Sequence, residues 1–200
     1  MRLPYDCVLL AAGEGRRMGG GKLLRSFRGR PLILHALESA AAACRRVIVV
    51  TGFDDKRVKE AVTAAHSADP TAAELTFVHN PNYRLGMFSS IQAGARVVRS
   101  DRFFVLPADL PLVTAAAFEA VAAEPAADAV VPVVEGTRGH PVLIRSSLIP
   151  ALTAAAADAG PMRHFLRDYR VHWAECEDNA MIRDVDTAEA LEALDRNREH

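Results

Sequence analysis

Cysteine, tryptophan and lysine are all scarce in this 200-residue chain, which holds three cysteines, one tryptophan and 24 basic residues of which 21 are arginine. Cys7, Cys44 and Cys176 are odd in number and never spaced as C-x-x-C. That excludes a disulfide framework and a cysteine zinc site, and fits free thiols in a cytosolic protein. Basic and acidic residues nearly cancel, leaving a formal charge of −1. Without a basic excess there is no electrostatic footprint for nucleic acid. No apolar run approaches the ~20 residues needed to cross a bilayer. The first residues, one Arg and then an apolar stretch broken by Pro4 and Asp6, make a poor signal peptide. The expectation is a cytoplasmic chain that binds neither nucleic acid nor membrane.

What is present fits an ordinary globular domain. Half of the residues are apolar and 24% are charged, and a chain this long buries roughly 70% of its unfolded surface. Short apolar runs alternate with amphipathic segments. Strands are expected at Cys7–Ala11, Val47–Val50, Leu75–Val78, Phe103–Leu106, Ala129–Val134, Val142–Ile144 and 171–175. Helices are expected from Pro31 to about Ala41, from Asp54 or Asp55 to about Ala65, over Ser89–Val98, after Thr114, near 146–157 and 161–168, and from Thr187 to about Arg196. Such alternation implies a mainly parallel sheet covered on both faces, because each parallel crossover needs a helix. No linker divides the chain, so a single three-layer α/β/α domain over residues 1–200 is expected.

The densest signal follows the first strand, in Leu10-Ala11-Ala12-Gly13-Glu14-Gly15-Arg16-Arg17-Met18-Gly19-Gly20-Gly21-Lys22. Five glycines in nine residues, closed by a lysine, look like a phosphate cradle, since glycine lets backbone N–H groups approach an anion. It is not a Walker A loop, which would need Gly where Arg16 stands and Ser or Thr after Lys22. It is not the dinucleotide fingerprint either, which would need Gly at Met18. A lysine in so arginine-rich a chain is itself informative, because an ammonium is a compact charge able to follow a moving phosphate.

The segment Leu10 to Lys22 resembles the signature of nucleotidyltransferases with a glycosyltransferase-A-like, Rossmann-type fold. Within them the chain is most similar to the molybdopterin cytidylyl- and guanylyltransferases, over nearly its whole length. The resemblance implies nucleotidyl transfer: a phosphate oxygen of the acceptor attacks the α-phosphate of a nucleoside triphosphate and pyrophosphate leaves. It implies that Leu10, Ala11, Ala12 and Gly13 meet base and ribose, and that Lys22 and Arg17 stabilise the phosphates.

Asp109 sits in Leu106-Pro107-Ala108-Asp109-Leu110-Pro111, at the C-terminal end of a buried strand, where open α/β sheets bind ligands. Mg²⁺ wants one or two carboxylates plus phosphate oxygens, and the resemblance assigns the metal to Asp109. A second acid comes from Arg183-Asp184-Val185-Asp186. Asp184 and Asp186 share a face if that segment is extended, and the resemblance points to Asp186. Asp186 with Glu189 also has the spacing of a capping box for the last helix. Asn80, in His79-Asn80-Pro81, and Ser90, after Gly86-Met87-Phe88-Ser89, match nucleotide-facing positions of related cytidylyltransferases, although Ser90 also reads as a helix cap. His140, in Gly139-His140-Pro141, matches a segment of the molybdopterin transferases and is expected to meet the acceptor.

The resemblance thus implies CTP as donor, molybdopterin as acceptor, Mg²⁺ as cofactor and a recipient molybdoenzyme as a partner. Relatives that use guanine tend to carry Leu-Ala-Gly-Gly where this chain has Leu10-Ala11-Ala12-Gly13, and the Ala12 methyl narrows the place for a purine. Rival readings are a GTP-dependent guanylyltransferase, a transferase for sugar or polyol phosphates, and a non-catalytic cofactor carrier.

Overall fold

The first apolar run becomes the middle strand of the sheet, β1 (Leu3–Ala11), buried without a break from Asp6 onward in the computed structural model. The structure describes residues 1–67, 73–125, 127–158 and 160–196. β1 is flanked on both sides by parallel strands, β4 (Cys44–Thr51) and β6 (Arg102–Pro107). Between β1 and β4 lie a two-residue hairpin, β2 (Ser26–Phe27) with β3 (Arg30–Pro31), and helix α1 (Leu32–Ala43). Pro31 caps α1 from just outside it, a place where proline's missing N–H costs nothing.

Helix α2 (Asp55–His66) leads towards β5 (Glu74–His79), which pairs in parallel with β4. Helix α3 (Met87–Ala95) then returns the chain to β6, and α4 (Ala115–Ala123) carries it to β7 (Ala129–Val134). The turn after β7 makes a tight hairpin with β8 (Thr137–Arg138), and β9 (Val142–Arg145) runs antiparallel to both β7 and β6. After the short helices α5 (Ile149–Ala154) and α6 (Met162–Phe165), β10 (Val171–Glu175) pairs in parallel with β7, and α7 (Ala188–Arg196) follows. The sheet order is β10-β7-β9-β6-β1-β4-β5, with β8 on β7. The expected mainly parallel α/β/α architecture is therefore present, with one antiparallel strand, β9, inserted into it.

Alternation along β1 assigns its side chains to two cores. Cys7, Leu9 and Ala11 join Leu37, Val49, Phe104 and Phe118 on the α1 and α4 face. Val8, Leu10 and Ala12 join Ile48, Val50, Ile91 and Leu152 on the α3 and α5 face. Burying each large aliphatic or aromatic side chain contributes about 1.5–3 kcal/mol. α3 lies close on the sheet because residue 94 is glycine: a Cβ there would come 2.4 Å from Val8 Cγ1 and 2.9 Å from Val50 Cγ2.

Three expectations are corrected. α3 stops at Ala95 instead of reaching Val98. The buried Arg46 guanidinium donates to Val97 O at 2.8 Å, and Asp6 accepts from the Arg99 N–H at 2.7 Å, which draws the backbone out of the helix. The helices expected over 146–157 and 161–168 shrink to α5 and α6, flanked by single 3₁₀ turns, as Ala-rich sequence with Pro150 and Pro161 has propensity but little to bury. Residue 159 in that stretch lies outside the described residues. Among the described residues no helix is long and apolar enough to cross a membrane.

Candidate active site

The glycine-rich loop folds into two 3₁₀ turns, Arg16–Met18 and Lys22–Leu24. It is anchored by the buried Met18 and by backbone bonds from Met18 N and Gly20 N to Gly15 O, 2.9 and 3.2 Å. Gly15 adopts φ +64°, and a Cβ there would stand 2.6 Å from Lys22 Cβ. That close approach brings the lysine stem back across the loop.

Lys22 Nζ lies 2.6 Å from Asp109 Oδ2 and 2.9 Å from Asp186 Oδ1, and Arg17 Nη1 lies 2.8 Å from Asp186 Oδ2. Ala108 N donates to Leu10 O at 3.1 Å and Val185 N to Asp109 O at 2.9 Å. These bonds hold the ends of β1 and β6 and the 183–186 segment side by side. Burial alone would lower the Lys22 pKa, but the two carboxylates outweigh it and raise it. The hydrogen bond from Lys22 holds the Asp186 carboxyl below its ordinary range. Asp184 shifts the other way, raised by burial and by the charges of Asp186 and Asp109. The capping-box expectation fails: Thr187 Oγ1 accepts from Ala190 N at 3.1 Å, so Thr187 caps α7 and Asp186 is free to face Lys22.

This cluster opens on a cleft of about 430 Å³, whose lining includes Leu10, Ala12, Gly13, Arg17, Lys22, Ser90, Asp109 and Asp186. Three sequence-selected residues do not line it. The Ala11 side chain is buried on the opposite face of the sheet. Asn80 is buried behind Ser90, donating to it at 3.0 Å. His140 is half-buried with Nδ1 3.4 Å from Val105 O, and burial lowers its pKa. Ser90 is not the cap of α3, which begins three residues earlier at Met87.

Sequence reasoning passed over Tyr83, Gly86, Met87, Arg16 and Pro107, all of which line the cleft. Tyr83 lies in a 3₁₀ turn, Tyr83–Leu85, with no motif to mark it. Two exposed apolar side chains, Leu85 and Met87, are the signal that this turn borders a site. Glu14 ties the turn to the glycine-rich loop, accepting from Arg16 Nε at 2.5 Å and Arg84 Nε at 3.1 Å.

The donor set fits a hard cation. Asp109 and Asp186 already converge on one positive charge, the Lys22 ammonium, so a divalent ion would have to share or take the same oxygens. Among the described residues no group of three or more His, Cys, Asp or Glu is placed to hold a metal. A two-carboxylate seat suits an ion that draws its remaining ligands from phosphate and water.

Residues 7–174 match the MobA-like NTP transferase domain. The chain is 27% identical over 184 residues to the molybdenum cofactor cytidylyltransferase of Escherichia coli, covering 91% of each. It is 31% identical over 199 residues to the molybdenum cofactor guanylyltransferase of Ectopseudomonas mendocina, covering 95% of this chain and 91% of that one. It is also 32% identical over 200 residues to the nicotine blue oxidoreductase of Paenarthrobacter nicotinovorans, covering 94% of each. Among solved structures, a nucleotidyl transferase from Methanothermobacter superposes with TM-score 0.78 at 19% identity over 97% of both chains. A Mycobacterium tuberculosis protein solved as a manganese complex superposes with TM-score 0.73 at 20% identity, over 97% of this chain and 99% of that one.

Proposed function

The chain belongs to the MobA-like NTP transferase family, and from that premise we propose that it transfers CMP from CTP to the phosphate of molybdopterin, releasing pyrophosphate. An oxygen of the acceptor phosphate forms a bond to the α-phosphorus as the α–β bridging P–O bond breaks, and the electron pair leaves on pyrophosphate. Such chemistry asks the protein mainly to position groups and offset charge. The observation that carries the reading is Lys22 at the end of a glycine-rich loop, held by side chains alone between Asp109 and Asp186.

In this reading Lys22 and Arg17 exchange their carboxylate partners for phosphate oxygens when the nucleotide enters. Asp109 and Asp186 are the residues that would hold a divalent ion, Mg²⁺ in this proposal, and the ion would supply positive charge to the triphosphate. Backbone of Leu10 to Gly13 and the Ser90 hydroxyl face base and ribose, and the Ala12 methyl narrows the space against a purine. His140 lies outside the cleft lining, so an acceptor role for it requires the acceptor to extend past Asp109 towards β9. A cytoplasmic location and delivery to a molybdoenzyme complete the proposal.

Relatives named for cytidylyl and guanylyl transfer both align along this chain, so the base is tested directly. Purified protein is supplied with molybdopterin, Mg²⁺ and each nucleoside triphosphate in turn, and the product is weighed. The cytosine dinucleotide is expected, with one pyrophosphate per product. A guanine dinucleotide would keep the transferase and replace the donor. The similarity to an oxidoreductase is separated by the same assay, since electron transfer releases no pyrophosphate.

A further inference from the structure

The sheet ends in two outer strands, β5 and β10. β10 carries none of the devices that keep a free edge from pairing. It contains no proline and no lysine, and its register with β7 runs without a bulge from Val171 to Glu175. Its bonds to β7 use even-numbered residues: Arg170 O accepts from Ala129 N at 3.3 Å, and Cys176 N donates to Val133 O at 2.8 Å. A strand alternates, so the N–H and C=O groups of Val171, Trp173 and Glu175 face away from β7. Trp173, at the middle of that edge, is 46% exposed, with the Arg138 guanidinium stacked 5.0 Å from its ring centre. Among the described residues the other large exposed apolar side chains are the terminal Met1 and the cleft-bordering Leu85 and Met87. The active site therefore leaves Trp173 unaccounted for.

This edge is complementary to itself. In an antiparallel pair, two residues whose backbone groups point at each other exchange both hydrogen bonds. A two-fold axis at Trp173 sets Trp173 opposite Trp173 and Val171 opposite Glu175, which uses every free N–H and C=O of the three residues. The indoles then form a cross-strand aromatic pair. Charge favours the same direction. The strand is entered through Arg167, Asp168 and Arg170 and left through Glu175, Glu177 and Asp178. An antiparallel mate lays the basic start of one copy beside the acidic end of the other, whereas a parallel mate lays acid beside acid.

We propose that β10 is the interface of a two-fold homodimer, in which the sheets of two copies of this chain join edge to edge with Trp173 at the centre. β10 is parallel to β7, β9 is antiparallel to both β7 and β6, and β6 is parallel to β1. β10 therefore runs with β1 and β6, and the two-fold axis turns the second copy end over end. The two clefts open at opposite ends of the joined sheet. No residue of β10 lines the cleft, so each copy keeps a complete site.

The test follows the full chain by sedimentation velocity over a dilution series, together with the emission of Trp173, the chain's one tryptophan. A dimer is expected that dissociates on dilution, with the emission moving to longer wavelength as the indole meets water. Glu175→Pro removes an outward N–H and puts a ring on the free edge, where the ladder with β7 loses nothing. It is expected to raise the dimer Kd at least about 10-fold, because the two-fold axis makes each loss count twice. Glu175→Gln, which keeps the N–H, is expected to raise it less. Trp173→Lys sets two ammonium groups opposite each other in place of two indoles, and is expected to raise Kd about 10-fold or more. If the proline variant fails to fold, Trp173→Lys decides. A chain that stays monomeric throughout the series would overturn the proposal. So would a dimer whose Kd is unchanged by Glu175→Pro and Trp173→Lys. Either result leaves nucleotidyl transfer intact.

Discussion

Two ion-pair clusters stand at opposite ends of the central strands. Near the start of β1, Asp6 pairs with Arg46, whose side chain is 2% exposed. Past the ends of β1 and β6, Lys22 stands between Asp109 and Asp186, whose side chains are 23% and 43% exposed. The first pair is wired into backbone: Asp6 accepts from the Arg99 N–H and Arg46 donates to Val97 O. The second is held by side chains alone and faces a cleft. Partners made of backbone cannot be exchanged without unfolding something. Partners made of side chains can be exchanged for a ligand, and that difference separates a structural charge cluster from a functional one.

Breaking the first cluster should produce the largest effect of all, and on stability. Arg46→Met leaves a carboxylate buried without its cation, a loss of about 3–5 kcal/mol, read by denaturant unfolding. Turnover per folded molecule should not change. Breaking the second cluster should do the reverse. Asp109→Asn should lower kcat about 10²-fold or more while its unfolding midpoint stays within about 1 kcal/mol of the unaltered chain. A variant that lost stability and kept turnover would erase the distinction. Lys22→Arg should restore only part of the rate lost in Lys22→Ala, since a planar guanidinium does not fit a seat built for a compact ammonium.

Smaller effects sharpen the comparison at its borders. Ala12→Gly should reduce the preference for CTP over GTP, within the roughly 10- to 200-fold that one methyl group commands, measured as the ratio of kcat/KM values. The smallest is a pH effect. Burial lowers the His140 pKa in the folded chain, so the unfolded chain binds more protons between the folded value and the ordinary one of about 6.5. Stability should therefore fall as pH drops through that window, and His140→Gln should flatten the slope.

Much of the fold was legible because the central strands are buried on both faces and so read as unbroken apolar runs such as Val47–Val50. The glycine-rich loop and Asp109 were legible because phosphate and metal chemistry demands particular residue types at particular places. Less legible was anything decided by a long-range partner. The end of α3 depends on Arg46, about 50 residues earlier in the chain. The release of Asp186 from capping depends on Thr187 taking that role and on Lys22, 164 positions away. Asn80 resembles a ligand-facing amide in sequence, yet its burial against Ser89 and Ser90 turns it into a support. No local pattern distinguishes those two uses of an asparagine.

The exchange of partners at Lys22 is tested most directly by comparing Lys22→Met with the unaltered chain in one preparation, reading pyrophosphate release from CTP with molybdopterin and Mg²⁺ beside the unfolding curve. The methionine refills the volume of the lysine stem but carries no charge to pass from carboxylate to phosphate. The expected result is a rate lower by about 10²-fold with a loss of stability clearly smaller than that of Arg46→Met, because the two carboxylates left behind are 23% and 43% exposed and keep water as a partner. Unimpaired pyrophosphate release, or a loss of stability as large as that of Arg46→Met, would contradict it.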